Sequence, residues 1–199
     1  DLDVNFMGTT AIVGNSIPVG VGIGLSVKIK KKKNISFIFL GDGAVESGAF
    51  YESLNFAAVK KLPVVFVCEN NFYSVYSPLD VRQPKKRSIT NLVKSIGIKS
   101  IHCNGHDVIN VYNVLKKMSE ETRKGQGPCF LEISTFRWRE HCGPNYDNDL
   151  GYRSKKEVSY WKNKDPLIKL KKQILNSKPS ELNSIKKIEE KVYKEINLS

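Results

Sequence analysis

SFIFLGDGAVESGAFYESLNFAAVKKLPVVFVCENN, residues 36–71, holds two parallel statements of one pattern. Residues 36–40 are a short, unbroken apolar run closing on Gly41-Asp42-Gly43, and residues 64–68 are another, closing on Glu69-Asn70-Asn71. Runs of this length suit strands buried on both faces. Between them, residues 48–61 have helical length and set Phe50, Leu54, Ala57 and Ala58 on one face, until Leu62-Pro63 stops the helix. A right-handed crossover of this kind lays two parallel strands side by side or nearly so. Asp42 and Asn71 then reach the same carboxyl edge of a sheet and point into one crevice.

A carboxylate in that place cannot face a bare anion. A Mg²⁺ ion bridging it to phosphate oxygens satisfies it, with Asn71 offering a neutral oxygen and Tyr73 a backbone carbonyl. Gly41 and Gly43 let the chain turn tightly beside a ligand. The amides of Gly43, Ala44 and Val45 precede a helix and can donate to the same diphosphate. Either triplet alone reads equally as a turn after a strand; the pair at this spacing is far more specific.

Outward from this unit, strand and helix alternate. Residues 19–30 predict a helix, capped by Asn15 or Ser16, with Pro18 in its first turn and Gly20, Gly22 and Gly24 permitting close packing. Gly20-x-Gly22 follows no strand and lacks a third glycine at the right offset, so it is not read as a dinucleotide fingerprint. Residues 72–88 predict a loop, 89–96 a short helix and 99–103 a strand. Asp107 caps a helix running to about residue 123, and 129–135 form a fourth strand. The expected fold is α/β, a mostly parallel sheet with helices on both faces, followed by C-terminal helices over 155–162, 166–175 and 180–196. Residues 1–153 are expected to form the α/β domain and 154–199 its helical extension, with a loop over 137–152 between them.

The 199 residues carry a formal charge of +12, mostly from lysine. With arginine scarce and no aromatic–basic stripe, this reads as a lysine-rich surface rather than a nucleic-acid-binding module. No apolar run approaches the ~20 residues of a membrane span, and nothing at the start reads as a signal peptide. The chain opens at Asp1 without a Met, as a fragment or a processed subunit would. Cys68, Cys103, Cys129 and Cys142 show no CxxC spacing; reduced thiols in a cytoplasmic protein are expected and a zinc site is not.

The GDG…NN pair resembles the thiamin diphosphate motif. The wider text resembles the α subunit of the E1 component of 2-oxo acid dehydrogenases (pyruvate, acetoin and branched-chain types). The likeness continues at Ile12-Val13-Gly14, Ile17-Pro18, Asn104-Gly105-His106-Asp107, Gly127-Pro128, Phe136-Arg137 with His141, and Gly151-Tyr152-Arg153. It implies the thiamin diphosphate-binding fold and these cofactors, thiamin diphosphate and Mg²⁺. It implies Asp42, Asn71 and the Tyr73 carbonyl as metal ligands, and Gly41, Gly43 and Ala44 along the diphosphate. By the same resemblance the Val13 carbonyl meets the aminopyrimidine and Val75 wedges between the two rings. His141 stands near the diphosphate and reacting centre, and Arg137 supports its loop. The implied reaction is decarboxylation of a 2-oxo acid with acyl transfer to a lipoyl-bearing E2 acyltransferase. An E1 β-type subunit is the implied partner, in an α2β2 heterotetramer, and supplies the glutamate that activates the pyrimidine. The family's Tyr-Arg pair that grips the diphosphate precedes the point matching Asp1. The loop at residues 140–149 departs from the family's Ser/Asp-rich version, which leaves open a decarboxylase or carboligase acting on an unusual, sugar-derived substrate. Cys142 takes the place of a serine phosphorylated in some animal relatives.

Overall fold

Short apolar strands covered by helices assemble the predicted sheet. The structure is a computed structural model describing residues 1–198. In chain order come α1 (Ser16–Ile29), β1 (Ser36–Gly41), a 3-10 turn (Asp42–Glu46), α2 (Gly48–Val59), β2 (Val64–Asn70), β3 (Tyr73–Ser74), β4 (Ser77–Pro78), α3 (Leu79–Arg82), α4 (Ile89–Ser95), β5 (Lys99–Asn104), α5 (Val108–Arg123) and β6 (Cys129–Ser134). β1, β2, β6 and β5 lie in that order in one parallel sheet, while β3 and β4 pair as a separate antiparallel hairpin. β1 and β2 are direct neighbours, with Gly41 opposite Glu69.

Both faces of the sheet are packed, as parallel strands require. Val64, Phe66 and Cys68 join Ile17, Val21, Phe50, Leu54, Ile89, Val93 and Phe130 in one core. Val65 and Val67 point the other way, to Leu131 and Met118, with Val111, Val114 and Leu115 of α5 beside them. The two central strands thus bury successive residues, which is why they read as continuous apolar runs. At the sheet edge β1 keeps only one face covered, leaving Phe37 and Phe39 exposed and stacked on each other.

Glycine sets how near α1 comes to the sheet. A Cβ on Gly20 would stand 2.4 Å from Ile38 Cγ1, and one on Gly24 2.4 Å from Val64 Cγ2. Gly22 faces open space, so the packing explanation covers two of the three helix glycines. The caps divide similarly. Asp107 accepts a hydrogen bond from the Asn110 amide at 3.1 Å, but Asn15, in helical conformation, makes no side-chain cap.

The chain divides into two compact units, Asp1–Arg153 and Ser154–Ser199. The second consists of α6 (Lys155–Lys162), α7 (Pro166–Ser177) and α8 (Leu182–Leu198), the last preceded by a 3-10 turn over Pro179–Glu181. Ser154 and Asp165 cap α6 and α7 by accepting from the Glu157 and Leu167 amides, and Lys171 pairs with Glu189 at 2.7 Å between α7 and α8. Among the described residues, no helix is long and apolar enough to cross a membrane.

Candidate active site

The carboxyl edge of the sheet gathers the chemistry. Asp42 follows β1 directly, opens the 3-10 turn and is 1% exposed. Asn71 follows β2 directly and is half-buried. The β1–β2 register puts both residues at the same rim on neighbouring strands. Each is engaged separately. Asp42 accepts from Arg82 Nη2, and Asn71 Oδ1 accepts from the Tyr73 amide at 3.1 Å, forming an Asx turn that fixes the start of the hairpin.

Asn70, still within β2, is almost fully buried. It donates to Glu132 Oε1 of β6 at 2.8 Å and accepts from the Phe72 amide at 3.0 Å. Glu132 lies one strand away, buried as well. Burial pushes the Cys68 thiol well up, and the Glu132, Asp42 and Glu69 carboxylates push it further. The rim carries carboxylates, partly neutralised by Arg82, together with amide and carbonyl oxygens, which are the hard donors a small divalent cation needs. Among the described residues, no three His, Cys, Asp or Glu side chains gather to hold a metal. A cation here would rely on one carboxylate plus amide and carbonyl oxygens.

Gly43 marks a close approach: a Cβ there would stand 2.7 Å from Ser74 Oγ and 3.7 Å from Arg82 Nη1. Gly41 ends β1 with its surface open, and Ala44 is buried beneath the turn. The hairpin bends through Phe72 at φ 68° and Val75 at φ 55°. For a β-branched residue that conformation costs about 1–3 kcal/mol and needs support from its surroundings. The support is Arg137, whose Nη2 donates to the Val75 carbonyl at 2.8 Å.

Arg137 is itself held in a cluster. It reaches Tyr152 Oη at 3.0 Å and Asp147 Oδ2 at 3.4 Å, and its own carbonyl accepts from Arg153 Nη1 at 2.6 Å. Arg153, buried, pairs through Nη2 with Asp147, and Tyr152 donates to Asp147 Oδ2 at 2.6 Å. Burial alone would raise the Asp147 carboxyl, but the Tyr152 hydrogen bond and the Arg153 and Arg137 guanidiniums outweigh it and hold it below its ordinary value. Burial and the hydrogen bond to Asp147 push the Tyr152 hydroxyl up to about 12. Tyr152 packs edge-on against Tyr73 and tilted against Tyr76, so the cluster buttresses the hairpin from below.

Two expected residues lie in exposed loops. Val13 is 67% exposed, in the loop before α1, and His141 is exposed in the loop after β6. Glu140 closes that loop by accepting from the Asn145 amide at 3.1 Å and its side-chain nitrogen at 3.0 Å. Arg82, Glu46, Glu132 and Asp147 were not singled out from sequence. Arg82, Glu46 and Glu132 acquire meaning only through partners far along the chain, and Asp147 through partners in its own irregular loop, and no periodic pattern marks either kind of pair.

The family model described as dehydrogenase E1 component matches residues 2–198. A pyruvate dehydrogenase E1 component subunit alpha of Rickettsia felis is 39% identical over 192 residues, covering 96% of this chain and 58% of that protein. The 2-oxoisovalerate dehydrogenase subunit alpha of Bacillus subtilis is 38% identical over 133 residues, covering 67% of this chain and 39% of that protein. The chain therefore spans little more than half of the first relative's length. A solved structure from Mycobacterium smegmatis, described as a candidate thiamin diphosphate-dependent enzyme, aligns with TM-score 0.47 and 20% identity over 63% of this chain and 22% of that one. A likeness of that size carries no inference. The matches give no support to a nucleic-acid-binding module.

Proposed function

We propose, on the premise that this chain belongs to the dehydrogenase E1 component family, that its unit Asp1–Arg153 holds Mg²⁺ and thiamin diphosphate as the α-type subunit of a 2-oxo acid dehydrogenase. The observation that carries this reading is the buried Asp42 just after β1 and Asn71 just after the neighbouring β2, at the same rim of a parallel sheet. The residues fit the group. Asp42 and the Asn71 side chain, with the Tyr73 carbonyl, form a hard oxygen set for Mg²⁺. The amides after Gly41 would donate to the diphosphate, and Gly43 has no side chain where the turn packs closely on Ser74.

Bound there, thiamin diphosphate would supply the nucleophilic carbon that a 2-oxo acid needs to lose CO₂. The chain's own part is orientation and electrostatics. Asp42 would fix the metal, and through it the diphosphate. Val75, locked at positive φ by Arg137, would present an apolar side chain to the cofactor, and the Val13 carbonyl would accept from its ring. The loop carrying His141 would border the reacting centre. Pyruvate and 2-oxoisovalerate are the substrates named for the relatives, and a 2-oxo acid is the proposed substrate class here. A β-type partner subunit, a lipoyl-bearing acyl acceptor and a cytoplasmic setting complete the proposal.

The test is calorimetric titration of thiamin diphosphate into the chain purified with its β-type partner, with Mg²⁺ and with chelator. Saturable binding is expected only with the metal present. Equal binding in chelator, or none in Mg²⁺, would refute the proposal.

A further inference from the structure

Arg82 holds the position a cation would want. Its Nη2 meets the Asp42 carboxylate, its Nη1 meets Glu46 Oε1 at 2.5 Å, and its Nε donates to the Ser77 carbonyl at 3.1 Å. Among the described residues, it is the side chain that hydrogen-bonds Asp42. Asp42 is 1% exposed and Arg82 11% exposed at the side chain, so this is a largely desolvated pair. A carboxylate so buried needs a positive partner whether or not metal is bound. The trio Asp42, Glu46 and Arg82 sums to one negative charge, which leaves it attractive to a dication.

We propose that Arg82 is a built-in counter-cation of Asp42 that competes with an incoming divalent metal, so that metal loads as the guanidinium leaves Asp42 and stays with Glu46. This rests on the reading of Asp42 as a metal ligand. Arg82 sits on Oδ2, and a dication on either oxygen of the same carboxylate would stand only a few ångströms from the guanidinium, where like charges repel strongly in a buried site. Arg82 has somewhere to remain: Glu46 is 30% exposed and already anchored by Gln83 Nε2 at 3.1 Å. Its mount lies off the parallel sheet. α3 is one turn long, lies outside the sheet between Pro78 and Pro84, and is tied back by the Leu79 amide to the Phe72 carbonyl at 2.8 Å. Displacement therefore shifts a short hairpin-borne segment and leaves the parallel strands in place.

The experiment is Mn²⁺ binding followed by electron paramagnetic resonance, with Mn²⁺ as the sole added ligand. It compares the full chain with Arg82→Gln, Arg82→Lys and Asp42→Asn. Arg82→Gln is expected to bind Mn²⁺ at least about tenfold more tightly. Arg82→Lys, which keeps the charge but loses the fork, is expected between it and the native chain. Asp42→Asn is expected to lose the site. A melting temperature of Arg82→Gln that falls without metal and recovers with Mn²⁺ supports the exchange. Unchanged or weaker Mn²⁺ affinity in Arg82→Gln, with the site lost in Asp42→Asn, overturns the competition and leaves the metal reading standing. Native affinity in Asp42→Asn overturns the metal reading and the competition with it.

Discussion

Asp42→Asn is expected to lower magnesium-dependent thiamin diphosphate affinity by more than about a hundredfold, beyond the 10–100-fold that loss of an outer partner of a metal site costs. The substitution keeps the shape of the side chain and one oxygen but removes the charge that draws the dication. It should leave the fold largely intact. Arg82 keeps Glu46 and the Ser77 carbonyl as partners, so no guanidinium is stranded. Titration with and without Mg²⁺, alongside thermal melting, separates lost binding from lost folding. A variant that melts like the native chain and still binds with native affinity would remove Asp42 from the metal.

Asp147→Asn is expected to destabilise the chain by about 3–5 kcal/mol, because it breaks a buried pair and leaves the other charge uncompensated. Both Asp147 and Arg153 are 1% exposed at the side chain. For a chain of this size the melting temperature should drop by roughly 6–20 °C. The pH dependence follows from the lowered Asp147 carboxyl. A group whose pKa is depressed on folding stabilises the native state above its unfolded pKa, about 3.9 for Asp, and loses that contribution as pH falls through the folded value. The stability gap between native and variant chains should therefore be flat from about pH 5 to 7 and close below about pH 4. Because Asp147 also holds Arg137, which supports Val75, the variant should bind thiamin diphosphate more weakly even where it is folded. Urea unfolding across that pH range checks the first point, and titration at low temperature checks the second. A constant gap down to pH 3 would contradict the role of the carboxylate.

Much of the fold could be read because its signals are local. Residues 64–68 are apolar throughout since β2 is buried on both faces, whereas the apolar run 37–40 belongs to edge strand β1, which leaves Phe37 and Phe39 exposed. Leu62-Pro63 ends a helix by sterics that act within a few residues. The order of strands could not be read in this way. That β6 inserts between β2 and β5 depends on Val65, Val67 and Leu131 sharing a core, which is a tertiary fact. The stretch read as a loop over 72–88 contains β3, β4 and α3. Its turns run through Phe72 and Val75 at positive φ, where glycine would have announced them.

The rim residues divide along the same line. Asp42 and Asn71 end strands and are flanked by turn chemistry, so their shared edge follows from topology alone. Arg82 reaches Asp42 across 40 positions, and Asp147 organises Arg137, Tyr152 and Arg153 within a loop whose sequence shows no regular periodicity. Long-range ion pairs leave no periodicity, and the chain reveals them only when folded.

The most direct measurement is an anomalous difference map from crystals of the full chain grown with its β-type partner, Mn²⁺ and thiamin diphosphate. A peak is expected within about 2.0–2.3 Å of both an Asp42 carboxylate oxygen and Asn71 Oδ1. A Mn²⁺ peak elsewhere, with Asp42 still closed on Arg82 and Asn71 turned to the Tyr73 amide, would contradict a shared metal at the rim.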